Sequence, residues 1–166
     1  MRVPRLLFAG RFMSLLIVLP VLAGSAYGQT RALKIDDLAK RAELVAVGRV
    51  SDMVSEWSAD RTHILTRVTL SVQEYVKGEG ASTVTITTLG GEVGEVGELY
   101  THVPTFRQNE TVVVFLEAGA QGSYHVSGGT QGKYNVEPDP VSGVPVVAGK
   151  DRLQDFTSMV RAASQR

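Results

Sequence analysis

No cysteine occurs anywhere in the 166 residues, so disulfides, thiol redox chemistry and thiolate metal sites are excluded and packing alone has to hold the fold. Catalytic signatures are missing as well. There is no Gly-x-Ser-x-Gly elbow, no His-x-x-x-His pair among His63, His102 and His125, and no Asp-rich calcium loop. Neither sign of charge dominates, with 17 Lys and Arg against 17 Asp and Glu. The apolar run Phe12 to Ala23 is interrupted by Pro20 and is shorter than the roughly 20 residues of a spanning helix.

That run sits in a leader pattern. Arg2, Arg5 and Arg11 precede it, and Ala26-Tyr27-Gly28 follows with small residues at the two positions a signal peptidase reads. Residues 1–28 are expected to be a signal peptide cut before Gln29, with a cut after Ala26 and retention as a membrane anchor as the competing readings. The implied location is secreted or periplasmic. Removing 28 residues from 166 leaves 138, and removing three arginines from 17 basic residues leaves 14 against 17 acidic ones, about minus three. This balance argues against nucleic acid and against anionic membrane surfaces as partners. One domain, 29–166, is expected.

The most informative stretch is Thr62 to Lys77. Ile64, Thr66, Val68, Leu70, Val72, Glu74 and Val76 fall on one side of a period-two pattern, and more polar residues fall on the other, as in a half-buried strand. Fifteen extended residues reach roughly 45–50 Å, whereas a domain of this size has a radius of gyration of only about 14 Å. The strand is therefore expected to bend around a barrel.

Around it, Ile35, Leu38, Ala39 and Ala42 share a helical stripe, with Asp36 and Asp37 near the first turn. Leu44 to Trp57 reads as a strand that starts in the core and emerges at an edge, with Gly48 as a bend or bulge. Ser58 to Arg61 turns it into the next strand. Lys77-Gly78-Glu79-Gly80 ends that one, and Thr83 to Leu89 is a third, with Val84 and Ile86 inward. Gly90 to Glu98 repeats Gly-Glu-Val at a period of three, giving a mobile loop or a bulged ribbon, and Leu99 to Phe106 continues as loop. Thr111 to Glu117 has no polar side and is expected at the centre of the sheet. Tyr124 to Ser127, Gly132 to Val136 and Val144 to Val147 supply short strands, and Asp151 to Ala163 a closing helix with Leu153, Phe156 and Val160 aligned. The expected fold is mainly β, a small Greek-key barrel of the oligonucleotide/oligosaccharide-binding type with a helix at each end.

Ala42 to Val50, the ending Tyr75-Val76-Lys77-Gly78, Thr111 to Leu116, and Tyr124 to Ser127 with Gly128-Gly129-Thr130 together resemble the tissue-inhibitor-of-metalloproteinases and netrin-module superfamily. The tetrad Gln131-Gly132-Lys133-Tyr134 also resembles one found in exported bacterial proteins. The resemblance implies the barrel fold. In the inhibitors an amino-terminal cysteine chelates the protease zinc; this chain offers Gln29 there and no cysteine, so that mechanism and its residues do not carry over.

The candidate site residues divide into three groups. Trp57 is either a recognition aromatic or a cover for the end of the core. Glu92, Glu95 and Glu98 either converge on a hard cation or form a solvated acidic loop. Gln131, Lys133 and Tyr134 are either partner contacts beside a close-approach glycine or parts of a tight turn whose tyrosine seals the barrel. Asn109-Glu110-Thr111 matches a glycosylation acceptor. No cofactor, metal site or catalytic residue is expected. The expected function is an exported non-catalytic binding module for a protein or small ligand. A hydrolase with a non-contiguous site and an inhibitor using the glycine-rich loop are the alternatives.

Overall fold

The computed structural model describes residues 32–165; the expected signal peptide and its expected cleavage positions lie outside them. In chain order the elements are α1 (Ile35–Arg41), β1 (Leu44–Trp57), β2 (Ile64–Lys77), β3 (Thr83–Leu89), β4 (Gly91–Val93), β5 (Val96–Glu98), β6 (Thr111–Ala118), β7 (Tyr124–Val126), β8 (Lys133–Pro138), β9 (Pro145–Val147), β10 (Asp151–Arg152) and α2 (Leu153–Ser164). Strands β1, β2, β3, β7 and β6 close into a five-stranded ring, because β6 also pairs with β1. Every contact in the ring is antiparallel except one: β3 meets β7 in parallel at Ile86 opposite Tyr124. The far edge of β6 carries β8 along Thr111–Val114, and β9 and β10 follow outward.

Leu44 to Gly48 of β1 and Val112 to Leu116 of β6 lack a polar side because both faces are buried there. Leu44, Ala46 and Val50 of β1 and Val112, Val114 and Leu116 of β6 fill the barrel. The alternate residues Val45, Val47, Val113 and Phe115 point out of the barrel and are sealed under α1 and α2 by Leu38, Phe156 and Val160. A strand with one apolar face toward each layer has to read as a continuous apolar run. Burying each such side chain stabilises the fold by about 1.5–3 kcal/mol.

The long hairpin β1–β2 bends through register shifts. Ser51 of β1 and Gln73 and Val76 of β2 have no opposite partner, and each such bulge adds local twist. The single-faced pattern expected for β2 therefore stops at Val72. Beyond Gln73 the parity inverts, so that Tyr75 packs toward the barrel interior while Val76 joins the helix layer. Glu74 faces outward and pairs with Arg161 of α2. Lys77, on the same outer side, donates to the carbonyls of Ala39 and Ala42 at 2.7 and 2.6 Å. It thus satisfies the orphan carbonyls that end α1.

Candidate functional site

One end of the barrel is finished by the residues between β3 and β6. Gly90 to Glu98 is a regular two-stranded ribbon, which resolves the two readings of its glycines. The turn between β4 and β5 is Gly94-Glu95, with Gly94 at φ +62°, the geometry that favours glycine first in a two-residue hairpin. The ribbon is fastened to the start of β2. The Gly90 amide donates to the Ile64 carbonyl at 2.8 Å, the Thr66 hydroxyl to the Gly90 carbonyl at 2.6 Å, and the Ile64 amide to Glu98 Oε2 at 2.8 Å. Gly91 lies directly on the hydroxyls of Ser55 and Thr66, where no Cβ fits.

Between the ribbon, the ends of β1 to β3 and the loop 99–106 lies a cleft of about 340 Å³. Met53, Val103, Pro104 and Phe106 give it apolar walls, Thr66 and Thr88 line it with hydroxyls, and Glu92 and Glu98 bring carboxylates. At its rim Leu99 is 85% exposed and Leu89 43%. Glu98 accepts from the Ile64 amide and from the Tyr100 hydroxyl at 2.9 Å. The Ile64 amide first, and then the Tyr100 hydroxyl, hold its carboxyl below the usual glutamate range. The same bond pushes Tyr100 above the usual phenol range. His63 Nδ1 lies 2.9 Å from the Tyr100 hydroxyl. Since the phenol proton goes to Glu98, that histidine nitrogen is the donor in this arrangement.

The structure brings some of the sequence candidates together and separates others. Trp57 ends β1 opposite the fully buried Ile64 and keeps 37% of its surface exposed, next to the strand end on which the ribbon is fastened. Glu92 faces Gly97 and Glu98 faces Gly91 across the ribbon. These are neighbouring ladder positions, so the two side chains leave on opposite faces. Glu95 stands at the turn, and the three carboxylates do not converge. Among the described residues no group of three or more His, Asp or Glu is arranged to hold a metal ion.

The tetrad Gln131 to Tyr134 is used inside the domain. Gln131 Oε1 accepts from the Leu33 amide at 2.6 Å. Gly132 is buried, and a Cβ there would overlap the Ser127 carbonyl; the close approach that its glycine signals is made by this chain's own backbone. The Lys133 side chain is 10% exposed, 2.8 Å from Glu110 Oε1, and sits 5.0 Å over the Phe106 ring while donating to Asn135 at 2.9 Å. Tyr134 packs between Phe115 and Phe156 in the helix layer, and burial pushes its hydroxyl above the usual range. Lys133 therefore supports the cleft from behind, through Phe106.

One further cluster resembles catalytic parts without their geometry. Ser127 is 1% exposed and donates to Glu117, whose other oxygen is 3.5 Å from His125. The carboxylate bridges the serine and the histidine, whereas nucleophile activation needs the histidine in that place. What sequence reasoning missed is the Glu98–Tyr100–His63 chain, because its anchor, the Ile64 amide, is 34 positions from Glu98. The Gly-Glu-Val period marked the segment but not its partner. No family model and no curated protein matches this sequence.

Proposed function

We propose that this chain is an exported, non-catalytic binding module that recognises a protein through the cleft at the ribbon end of its barrel. The observation that carries this reading is Leu99, an aliphatic side chain 85% in water at the lip of a largely apolar hollow. Covering such a side chain is favourable by about 1.5–3 kcal/mol, and an exposed apolar patch around a cleft marks an interaction site. The chemistry of the cleft supports binding over turnover. Glu98 is held in its ionised form and is a weak base, Tyr100 is held protonated, and the barrel interior behind them is filled by side chains.

The strand order of the ring supports a fold-level kinship with the tissue-inhibitor-of-metalloproteinases and netrin-module superfamily, with no functional residue carried over. The leader composition supports export to the periplasm or beyond.

The test uses the full chain expressed with its leader and recovered from the exported fraction. Random peptides displayed on phage are selected on it, and the bound site is mapped by amide chemical shifts. Selected peptides should shift Gly97, Leu99 and Tyr100 and lose binding to Leu99→Glu. Peptides that bind Leu99→Glu as well as wild type, or that map to the helix side, would overturn the assignment of the cleft.

A further inference from the structure

The cleft has only one sign of charge. Of the residues that line it, Glu92 and Glu98 are the acidic ones, and no lysine, arginine or histidine is among them. Glu98 receives both of its hydrogen bonds on Oε2, so among the described residues its Oε1 accepts none. Glu92 is exposed. The cation behind the wall, Lys133, is matched by Glu110 at 2.8 Å and adds no net charge. The two side chains leave the ribbon on opposite faces, yet both residues border the cleft walled by Met53, Val103, Pro104 and Phe106, which makes it acidic and greasy together.

The geometry points to a partner polypeptide that lays a lysine or arginine side chain, next to an apolar residue, into this cleft. The inference rests on the reading of the cleft as the recognition surface. The long methylene stems of these two side chains cover apolar walls while their charged heads stay beside carboxylates, and the neighbouring apolar residue covers Leu99. An acidic segment is rejected because each of its carboxylates would face Glu92 or Glu98 without a counter-charge. Because the pairing at Glu92 is exposed to solvent, it sets selectivity more than strength.

The same selection tests this separately from the proposed function. Peptides enriched on wild-type protein and dependent on Leu99 should carry a lysine or arginine beside an aliphatic or aromatic residue. Replacing that basic residue by norleucine should weaken them about two- to fivefold, the range of a solvent-exposed ion pair. Glu92→Gln should weaken them about two- to fivefold, and Glu92→Lys should move selection toward acidic peptides. Raising salt from 50 to 500 mM should lower their affinity. If Leu99-dependent peptides are instead neutral or acidic and indifferent to Glu92→Lys, the charge assignment is wrong and the cleft assignment stands. If no enriched peptide depends on Leu99, both fall.

Discussion

The helix-covered wall and the ribbon-covered mouth belong to one barrel but are closed by different means. At the wall, Val45, Val47, Val113 and Phe115 meet Leu38, Phe156 and Val160 with almost no exposure, so closure there is continuous apolar burial. At the mouth, closure depends on a few directed bonds: the Ile64 amide and carbonyl, the Thr66 hydroxyl, and Lys133 against Glu110 and Phe106. Burial is non-directional and sums over many atoms, whereas each bond contributes about 1 kcal/mol and fails singly. The wall is thus suited to holding the fold. The mouth can keep an apolar rim in water because stability does not depend on that rim.

Changes at the wall should have the largest effect. Phe156→Ala removes an aromatic that is 2% exposed and touches Tyr134, and it should lower unfolding free energy by about 3–5 kcal/mol in urea titrations. A loss below about 1 kcal/mol would mean that α2 is not part of the core. Next comes Lys133→Met, which leaves Glu110, 13% exposed, without its cation. The expected loss is about 2–3 kcal/mol, under that of a fully buried pair. The double variant Lys133→Met with Glu110→Gln should recover part of it, and failure to recover would show that the ammonium acts only through Phe106 and Asn135.

Lys77→Met strips two bonds from the end of α1 and should cost about 1.5 kcal/mol. Leu99→Ser should change stability by no more than about 0.5 kcal/mol; a larger loss would place Leu99 in the core rather than at a binding rim. The last comparison concerns pH. Glu98 has a folded pKa below its unfolded value, so its contribution is present above the ordinary glutamate pKa and disappears as pH falls through the lowered folded one. Carboxyl NMR should show it titrating below free glutamate, and Tyr100→Phe should move the midpoint upward. In the same spectra Asp60, bonded by Ser58 and Thr62, should titrate at about 2.

Periodicity made much of this barrel legible. The bounds of β1 and β3 follow from their alternation and from the turn residues beside them, and the unbroken apolar run of β6 announced a strand buried on both sides. The Gln73 bulge was hidden because Glu74 and Val76 continue the period-two spacing through it; only the register with β1 reveals the inversion. Asp151 and Arg152 read as the start of the last helix, yet they pair with Val147 and Val146, a contact that depends on where β9 lies. The ribbon was half legible, since glycines every third residue permit either a loop or a hairpin, and the anchors at Ile64 and Thr66 decide between them. Lys133 is the least legible of all. Beside a glycine and a tyrosine it reads like a contact for a partner, and only its approach to Glu110, 23 positions earlier, gives it an inward role.

Residue-resolved amide hydrogen exchange on the full chain compares wall and mouth most directly. The wall amides of Val45, Val47, Val113 and Phe115 should exchange only through global unfolding, while Val96, Gly97 and Leu99 should exchange through local opening at least a hundredfold faster, a gap of about 3 kcal/mol. Equal protection in the two regions would contradict the division of the barrel into a part that holds the fold and a part, proposed for recognition, that opens on its own.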